Sequence, residues 1–354
     1  MLREVVECFF PEAGEYKINP YGHGHINDTY RLDFEGGKEC FILQRINTNV
    51  FADPSIIAET HRKVQEAINQ AGGGLTIPGL IPSAKGRSLC VDKEGEVWRM
   101  TVFINDSYTI EVVTDDWQAF EAGNAFGWFA KSCRSLDVAD FSEPIRDFHR
   151  LSFRLRQLND AITLNRAGNL DSVAGLVDFF RARESRLCKI EEMVDSGEIP
   201  LRIVHNDTKI NNLLFSDQKA TTVIDLDTVG PGILYYDYGD ALRTTASTAA
   251  EDERDLSRVD FDISRFAAFT RGYMDQTRDM LCPVEKEYMH MAPVLMTYIM
   301  GIRFLADHLN GGIYYKTSYP EQNADRSRVQ KKLIQSMERT ESRMKDILKA
   351  EFKS

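Results

Sequence analysis

The chain has 354 residues, of which 43% are hydrophobic and 27% charged, a composition typical of globular proteins. This length suggests about two domains and a large apolar core, which excludes disorder or a coiled coil as the main architecture. The net charge of −11 disfavours nucleic acid and anionic membranes as general partners, because an acidic chain repels both. A local site for a small anion remains open, especially if a metal ion bridges the two.

The cysteines and the apolar stretches bear on the compartment. The six cysteines are scattered and form no CxxC pair: Cys8, Cys40, Cys90, Cys133, Cys188 and Cys282. Neither a disulfide framework nor a zinc site is therefore expected, and buried reduced thiols are predicted. The N-terminal residues show no signal peptide, and stretches such as Ala292–Ile302 are too short to span a bilayer. We therefore expect a cytoplasmic protein.

The first third of the chain is predicted to be mainly β-strand. Asp28–Phe34 and Glu39–Ile46 alternate around a Gly-Gly turn, which predicts a hairpin. A helix is predicted over Pro54–Ala71, because a capping Asp-Pro precedes it and three glycines follow it. Glu96–Ile104 predicts a further strand.

The rest of the chain is predicted to be mainly helical. Helical spacing of apolar residues recurs in five segments: Asp116–Leu136, Leu170–Ser196, Asp262–Met280, Lys286–Leu309 and Ser327–Lys349. Strand patterns appear only around Ile203–Phe215 and Thr221–Leu226. The sequence therefore predicts an α+β fold with a small β-rich lobe over residues 1–105 and a large helical lobe over residues 106–354.

The most informative segment is Ile203–Gly239. The pattern HxDxKxxN begins at His205, and IDLD follows a short β-branched run. An Asp followed five residues later by Asn, with a further Asp beyond the next strand, is the polar layout of a kinase catalytic loop and metal loop. The conjunction favours this interpretation, since a lone Asp in a loop is usually a cap or turn residue. His205 is predicted to fix the loop, and Asp237 and Asp240 to brace it.

Each residue type in this layout suits phosphoryl transfer from ATP. Asp207 is the predicted base, because a carboxylate can aim the acceptor hydroxyl and take its proton. Lys209 can neutralise charge on the transferring group. Asn212 and Asp225 are predicted to hold Mg²⁺, which prefers oxygen ligands. Asp227 is either a second metal ligand or a salt-bridge partner, and the sequence leaves both open.

A second feature could cover the nucleotide phosphates. No GxxxxGK[ST] sequence is present, which excludes a P-loop. Instead a glycine-rich segment, YGHGHINDTY, runs into the predicted hairpin, and its backbone N–H groups could cradle phosphate. Its candidate nucleotide-binding residues are Gly22, His23, Gly24, His25, Asn27 and Thr29.

The second strand of the hairpin should supply a group for the α- and β-phosphates. Protein kinases use a lysine there, but this strand has none and offers Gln44 and Arg45. Alternation places these two on opposite faces, and the sequence leaves open which one faces the nucleotide. The backbone of Phe103 and Ile104, where the lobes join, is the expected adenine-binding hinge.

These motifs resemble the aminoglycoside phosphotransferase and choline kinase superfamily, whose fold is protein-kinase-like and bilobal. Five segments are similar to the N-acetylhexosamine 1-kinases in particular: Pro20–Tyr30, Ile42–Phe51, His205–Asn212, Ser247–Leu256 and Gly301–Asn323. That resemblance implies an ATP- and magnesium-dependent enzyme that phosphorylates the anomeric hydroxyl of GlcNAc or GalNAc. Like the motif, the resemblance implies that Asp207 is the base and that Asn212 and Asp225 bind magnesium.

The resemblance also implies that Arg303, Asp307 and Tyr314 help to hold the sugar. Arg303 and Asp307 stand four residues apart on a predicted helix, so they could instead pair with each other. Tyr314 follows a Gly-Gly turn, where an aromatic ring could pack on a sugar face or close the core.

Two alternatives remain open. The acceptor could be another sugar, choline, ethanolamine or an aminoglycoside. Many aminoglycoside-modifying relatives carry Pro-Gly between the base and the Asn, whereas this chain has Lys209-Ile210-Asn211, which argues against an antibiotic acceptor. The second alternative is a nucleotide-binding pseudokinase, which the missing strand lysine favours and the retained base disfavours. The oligomeric state is not predicted.

Overall fold

A computed structural model describes residues 2–22, 26–36 and 39–353. Over these ranges the chain forms a small lobe built on a five-stranded antiparallel sheet and a larger, mainly helical lobe. The predicted α+β architecture, with the β-rich lobe first, is therefore confirmed. The last strand of the sheet ends at Val102, directly before the expected hinge.

The sheet of the small lobe has the strand order β1-β2-β3-β5-β4. Its strands are β1 (Tyr16–Pro20), β2 (Asp28–Phe34), β3 (Cys40–Ile46), β4 (Cys90–Val91) and β5 (Val97–Val102). The predicted hairpin is the β2–β3 pair. One face carries Leu32, Leu43 and Met100, which are fully buried under the N-terminal helix α1 (Leu2–Phe9). The opposite face of the sheet looks toward the large lobe.

Helix α2 (Pro54–Ala71) has the predicted bounds because its end signals are local. The Asp53 side chain accepts the N–H of Ser55 at 3.0 Å, and Pro54 fills the first turn. Gly72 ends the helix with a φ of +66°, which favours glycine. Ile57 of α2 packs with β3, and the helix also contacts residues 226–228 of the large lobe.

The large lobe is a bundle of helices around one extended core. Its helices are α3 (Asp116–Ser132), α4 (Leu151–Leu164), α5 (Leu170–Arg181), α6 (Glu184–Asp195), α7 (Leu234–Thr245), α8 (Ile263–Thr277), α9 (Pro283–Tyr288), α10 (Ala292–Leu309) and α11 (Gln322–Glu351). Two predicted helices are split: Leu170–Ser196 forms α5 and α6, and Lys286–Leu309 forms α9, a 3₁₀ turn and α10.

The catalytic segment lies on two short two-stranded sheets of the large lobe. One pairs β6 (Arg202–Val204) with β9 (Gly230–Gly232), and the other pairs β7 (Leu213–Ser216) with β8 (Lys219–Val223).

One stretch of the large lobe has the length and composition of a membrane span. It runs over Pro283–Leu309, but 94% of its most apolar part is buried inside the lobe. A core helix explains this composition, because buried helices are apolar all round.

The expectation of reduced thiols is wrong for one pair of cysteines. Cys8 on α1 and Cys90 on β4 form a disulfide. The two residues lie 82 positions apart, so no spacing pattern indicates the pairing. The packing of α1 under the sheet brings them together. Four cysteines are free thiols: Cys40, Cys133, Cys188 and Cys282.

Candidate active site

The loop between β6 and β7 brings the three central residues of the motif into contact. Lys209 Nζ lies 3.0 Å from Asp207 Oδ1. The Asn212 amide donates to Asp207 Oδ2 at 3.0 Å and to the Asp207 carbonyl at 2.8 Å. Because the Asn212 amide nitrogen faces the base, its oxygen points away from the base. That oxygen is therefore the atom that Asn212 can offer to a cation.

Buried polar groups hold this loop from below. Asp237 on α7 accepts the backbone N–H of His205 at 2.8 Å and that of Asn206 at 2.7 Å, one on each oxygen. His205 Nδ1 accepts the N–H of Asp207, so its Nε2–H donates to the carbonyl of Ile224 at 3.0 Å. The predicted loop-fixing role of His205 and the bracing role of Asp237 are confirmed.

The surroundings of Asp207 keep it ionised. Burial on its own would raise the pKa of Asp207, but the Lys209 ammonium and the Asn212 hydrogen bond together lower that pKa below its usual value. The Asp207 charge in turn raises the pKa of Lys209. At neutral pH, Asp207 is thus a carboxylate that can accept a hydrogen bond from an acceptor hydroxyl.

Asp225 has the surroundings of a cation ligand. It follows β8 with a left-handed φ of +59°, and its side chain is exposed at the floor of the interlobe cleft. The enclosing cleft walls, followed by the charges of Asp227 and Asp207, raise the pKa of Asp225 to about 7. A divalent cation would relieve this repulsion, so the residues present fit Mg²⁺.

The described residues do not form a complete metal cage by themselves. Nowhere within 2–22, 26–36 and 39–353 do three or more His, Cys, Asp or Glu side chains converge as metal ligands. The carboxylate of Asp225 and the amide oxygen of Asn212 would supply two oxygen ligands to such an ion. Mg²⁺ in phosphoryl-transfer sites takes one or two protein ligands and completes its shell with substrate phosphates and water, which matches this set.

Asp227 is a salt-bridge partner. Its side chain is buried, and both oxygens are engaged: Asn27 Nδ2 donates to Oδ2 at 2.6 Å, and the Arg99 guanidinium pairs with Oδ1. Of the two roles that the sequence left open for Asp227, its contacts favour the ion pair over metal ligation. The pair joins β5 of the small lobe to the metal loop of the large lobe.

Gln44 faces the cleft, and Arg45 lies on the opposite face of the sheet. Gln44 Nε2 donates to Thr29 Oγ1 at 3.1 Å, and Gln44 Oε1 accepts two N–H groups of Arg99 at 2.8 and 2.9 Å. Arg45 instead pairs with Asp28. The contacts of Arg45 therefore do not favour the nucleotide role predicted for it, whereas those of Gln44 and Thr29 are compatible with it.

The glycine-rich segment is described only in part. Gly22 has a φ of +73°, a left-handed conformation that favours glycine, and open space surrounds its Cα. His23, Gly24 and His25 lie outside the described residues, so their predicted roles stay predictions. Asn27, at the end of the segment, accepts the N–H of Asn47 at 2.9 Å in addition to its bond to the metal loop.

The hinge leaves two backbone groups available. Phe103 N–H donates to the Cys40 carbonyl at 3.0 Å, and the Ile104 carbonyl accepts the Ser107 hydroxyl at 2.8 Å. Within the part of the chain that the structure describes, the Phe103 carbonyl and the Ile104 N–H make no hydrogen bond. The two groups belong to the same trans peptide and point in opposite directions, so one of them can face an adenine ring while the other faces away.

Two guanidinium groups lie together over the ring of Phe148. Arg303 on α10 sits over the rings of Phe148 at 4.8 Å, Tyr314 at 5.8 Å and Tyr315 at 5.7 Å. Arg154 on α4 donates to the Phe148 carbonyl at 2.9 Å. Among the described residues neither guanidinium has a carboxylate partner. Burial, together with the charge of Arg303, lowers the pKa of Arg154 to about 10.

His149 links this arginine pair to the catalytic loop. Its Nε2 lies 2.8 Å from the Asn206 carbonyl, and its ring centroid lies 4.4 Å from that of Phe148. Burial, and next the charge of Arg303, lowers the pKa of His149 to about 3, so the ring is neutral. The Asp207 charge also acts on His149. The charges of the two arginines and of the predicted base therefore act on the same histidine.

Asp307 anchors the loop that carries Tyr314. Its two oxygens accept the backbone N–H groups of residues 313–315 at 2.8 to 3.0 Å and the Asn323 amide at 2.8 Å. With four donors already bound, Asp307 acts on the loop, and its contacts do not favour the sugar contact predicted for it. It also forms no ion pair with Arg303. Tyr314, by contrast, is 53% exposed.

The two lobes, the catalytic loop and the lone cleft carboxylate define a phosphotransferase of the kinase-like type. Residues 17–272 match the sequence model of a protein family described as the phosphotransferase enzyme family (APH). The chain belongs to this family. The superfamily predicted from the sequence motifs is thereby confirmed.

Several solved structures share this fold over nearly the whole chain. A microcompartment-associated aminopropanol kinase is 17% identical, with a TM-score of 0.65 over 97% of this chain and 98% of its own. A choline kinase from Cryptosporidium parvum is 13% identical, with a TM-score of 0.58 and coverage of 100% and 99%. A spectinomycin phosphotransferase in complex with ADP and spectinomycin is 12% identical, with a TM-score of 0.54 and coverage of 93% and 94%. At these identities the likeness shows the fold alone.

Three residues of the site were not predicted from the sequence. Arg99 carries a visible signal, since it is a lone cation inside the apolar run of β5. Its partner, however, comes from a distant loop. His149 and Arg154 carry no such signal, because each is unremarkable in its local pattern and gains a role only through packing.

Proposed function

We propose that this protein transfers the γ-phosphoryl group of ATP to a neutral, hydroxyl-bearing acceptor, and that this acceptor is an N-acetylhexosamine phosphorylated at C1. The observation that carries the proposal is the pair Arg303 and Arg154, which has no carboxylate partner among the described residues. The pair lies over Phe148, and the next residue, His149, contacts the Asn206 carbonyl one position before Asp207. The motifs shared with N-acetylhexosamine 1-kinases add support for the sugar. The cytoplasmic location and the absence of nucleic-acid or membrane partners stay predictions from composition.

The proposed chemistry is a direct in-line transfer without a phosphoenzyme. Asp207 accepts the proton of the acceptor hydroxyl as the oxygen attacks the γ-phosphorus, and Lys209 neutralises charge beside it. Asn212 and Asp225 would hold magnesium, which supplies charge neutralisation at the β- and γ-phosphates. Such sites work mainly by positioning and electrostatics, so the fixed Asp207–Asn212–Lys209 contacts suit the task.

Two observations support ATP as the phosphoryl donor. The hinge peptide between Phe103 and Ile104 keeps its polar groups free among the described residues, so it can offer one hydrogen bond to an adenine edge. A spectinomycin phosphotransferase of the same fold was solved with ADP. The contacts of Asp207 with Lys209 and Asn212 do not favour a pseudokinase. A module that only binds nucleotide needs no ionised base held in this way.

The positive charge of Arg303 and Arg154 separates the possible classes of acceptor. Choline, aminopropanol, ethanolamine and aminoglycosides carry ammonium groups. An ammonium about 6 Å from an unpaired guanidinium is repelled by ~3 kcal/mol at an effective dielectric near 20. A neutral sugar avoids that cost, and its acetamide carbonyl can accept a guanidinium N–H. The exposed ring of Tyr314 then offers a face for the sugar.

Two acidic groups of this region, Asp240 and Glu251, do not offset the charge of the arginine pair. Asp240 and Glu251 share the guanidinium of Arg243: its Nε lies 2.9 Å from Asp240, and its Nη1 lies 2.5 Å from Glu251. Within the described ranges, Asp240 pairs with Arg243 and accepts no hydrogen bond from the catalytic loop backbone, so its contacts do not favour the bracing role predicted for it. Both carboxylates are engaged by a cation before any acceptor binds.

The test is ³¹P NMR of the protein with Mg·ATP and a panel of GlcNAc, GalNAc, galactose, choline and kanamycin. We expect a new sugar 1-phosphate signal with GlcNAc or GalNAc and none with the two cationic acceptors. A phosphate ester on choline or kanamycin would overturn the acceptor assignment while keeping the reaction. ADP formation that persists in an Asp207→Asn control would overturn the assignment of the base.

A further inference from the structure

The described small lobe has no lysine on β3, and a buried cation stands on the neighbouring strand instead. Arg99 on β5 lies directly opposite Gln44 in the strand register. The Arg99 side chain is only 5% exposed. A buried guanidinium is costly unless its charge and its N–H groups are satisfied, so its partners indicate what it does.

Arg99 joins the nucleotide face of the small lobe to the metal loop. Its Nε and Nη2 both donate to Gln44 Oε1, at 2.9 and 2.8 Å, and its Nη1 pairs with Asp227. Asp227 lies two residues after Asp225, the predicted magnesium ligand. The same carboxylate also receives Asn27, at the end of the glycine-rich segment, at 2.6 Å.

Helix α2 supplies no carboxylate for this cation. In protein kinases the strand lysine pairs with a glutamate from the corresponding helix. Here Glu59 and Glu66 of α2 pair with the exposed Arg62. The buried side of α2 instead presents His61, whose Nε2 lies 2.8 Å from the Pro78 carbonyl. The counter-charge for Arg99 therefore comes from the other lobe.

We propose that Arg99 is the positioning residue for the nucleotide phosphates and that the Arg99–Asp227 pair replaces a lysine–glutamate pair. This rests on the proposed function. By binding Gln44 Oε1, Arg99 fixes the amide so that its Nε2–H₂ faces Thr29 and the cleft as a phosphate donor. By binding Asp227, it sets the metal loop against the sheet. Nucleotide and cation sites are thus assembled as one unit across the lobes.

The decisive readout is nucleotide affinity, measured by titration calorimetry with Mg·ADP and no acceptor. Loss of outer groups that orient ligands typically weakens binding about 10–100-fold, and we expect a loss of that size in Arg99→Met. Arg99→Lys should recover only part of it, because an ammonium cannot replace a planar fork that reaches two partners. In turnover, the KM for ATP should rise and that for the acceptor should stay unchanged.

A second variant guards against a purely structural effect. Arg99→Met leaves the Asp227 carboxylate buried without its cation, with only the hydrogen bond from Asn27. We therefore add the double variant Arg99→Met/Asp227→Asn, which removes the ion pair as a whole. A matched control is Arg183→Met, which loses a two-pronged pair with Glu338 at 2.8 Å in the large lobe, away from the cleft. Melting temperatures of all variants accompany the titrations.

The outcomes separate this inference from the proposed function. We expect the double variant to melt cooperatively and to bind Mg·ADP about tenfold or more weakly than wild type, with Arg183→Met unchanged in affinity. Wild-type affinity in Arg99→Met or in the double variant would overturn the inference. An equal loss in Arg183→Met would overturn it as well, since the effect would be general. Failure of the wild-type protein to bind Mg·ADP would instead overturn the proposed function.

Gain of function offers an independent check. Gln44→Lys in the Arg99→Met background places a lysine on β3. Its ammonium can then pair with Asp227, which has lost the guanidinium of Arg99. We expect this double substitution to regain Mg·ADP affinity over Arg99→Met alone. No regain, with a normal melting temperature, would contradict the view that the pair stands in for a strand lysine.

Discussion

The two sides of the cleft floor differ in charge balance. On the metal side, Lys209 pairs with Asp207 and Arg99 pairs with Asp227, which leaves Asp225 as a carboxylate without a cation. On the acceptor side, Arg154 and Arg303 are guanidiniums without a carboxylate. The first side is therefore prepared for a divalent cation, and the second is unfavourable for one.

This difference in charge balance suggests how a kinase-like fold can select its acceptor. A carboxylate-rich loop for magnesium is what any kinase-like phosphotransferase needs, so it defines the reaction and not the substrate. Under the proposed function, the substrate is set by the opposite side, where Arg303 lies among aromatic rings. The proposed specificity includes a repulsive element, because positive charge without a carboxylate partner acts against ammonium-bearing acceptors. The predictions below test each side, from the largest expected effect to the smallest.

Removing the base should have the largest effect. Asp207→Asn keeps the shape but cannot take a proton, and general-base catalysis contributes about 10²–10⁴-fold, so we expect kcat to fall by that amount. Mg·ADP affinity should change little, because the base acts in the transition state. Steady-state kinetics and calorimetry check both. Unchanged turnover would contradict the assignment.

Neutralising the acceptor side should separate binding from chemistry. In Arg303→Met we expect the acceptor KM to rise about 10–100-fold, since a hydrogen bond to a charged group contributes about 1.5–3 kcal/mol. The kcat value should change less, and the rate with a cationic acceptor should improve relative to the neutral one. Arg183→Met is the matched control. An unchanged acceptor KM would remove Arg303 from the site.

Releasing the Tyr314 loop should give a mixed effect. Asp307→Asn turns one acceptor oxygen into a donor that faces backbone N–H groups, and an unsatisfied buried donor costs about 1–3 kcal/mol. We expect the free energy of unfolding to fall by about that amount and the acceptor KM to rise. Urea unfolding and kinetics test the two parts. A rise in KM without loss of stability would indicate direct sugar contact by Asp307.

The buried histidine beside the base should make stability depend on pH. The pKa of His149 is about 3 in the folded protein, below its unfolded value of about 6.5, so its contribution is present above pH 6.5 and is lost as pH falls toward 3. At pH 5 the loss should be about 2 kcal/mol relative to pH 7. His149→Gln should therefore show a flatter dependence.

Comparing the wild-type protein with His149→Gln separates the effect of His149 on stability from the opposite effect of a buried carboxyl group. Burial raises the pKa of Asp237 to about 7, so that carboxyl destabilises the fold as pH rises from about 4 to 7. It acts equally in both proteins and cancels in the difference. Urea unfolding at pH 7 and pH 5 gives the two slopes, and identical slopes would show that His149 is not neutral in the folded state.

Local signals explain which parts of the fold could be predicted. Helix α2 was predicted to the residue because its cap, its N-terminal Pro and its terminal Gly all lie within the segment. The catalytic loop was predicted because its residues are close in sequence. The break between α5 and α6, by contrast, falls at Ala182-Arg183, which still fits a helical pattern, so only packing reveals it. Helices α1, α4 and α7 and strands β1, β4 and β9 also escaped prediction.

Contacts between distant segments could not be predicted. Asp227 and Arg99 lie 128 positions apart, and Asn27 lies 200 positions from Asp227. A sequence shows that each residue is polar but not which partner it meets. The same reason hides the disulfide and the bond from His149 to the catalytic loop. The catalytic loop is thus readable from the sequence, whereas the grouping of Arg303 with Arg154 and His149, which we propose sets the acceptor, arises from tertiary packing.

The measurement that tests the central claim most directly compares two acceptors that differ at one group. N-acetylglucosamine carries a neutral acetamide where glucosamine carries an ammonium. We predict that kcat/KM with Mg·ATP is at least tenfold higher for N-acetylglucosamine, in line with a repulsion of ~1.4 kcal/mol or more, and that Arg303→Met narrows the ratio. Equal or better use of glucosamine by the wild-type protein would contradict the account.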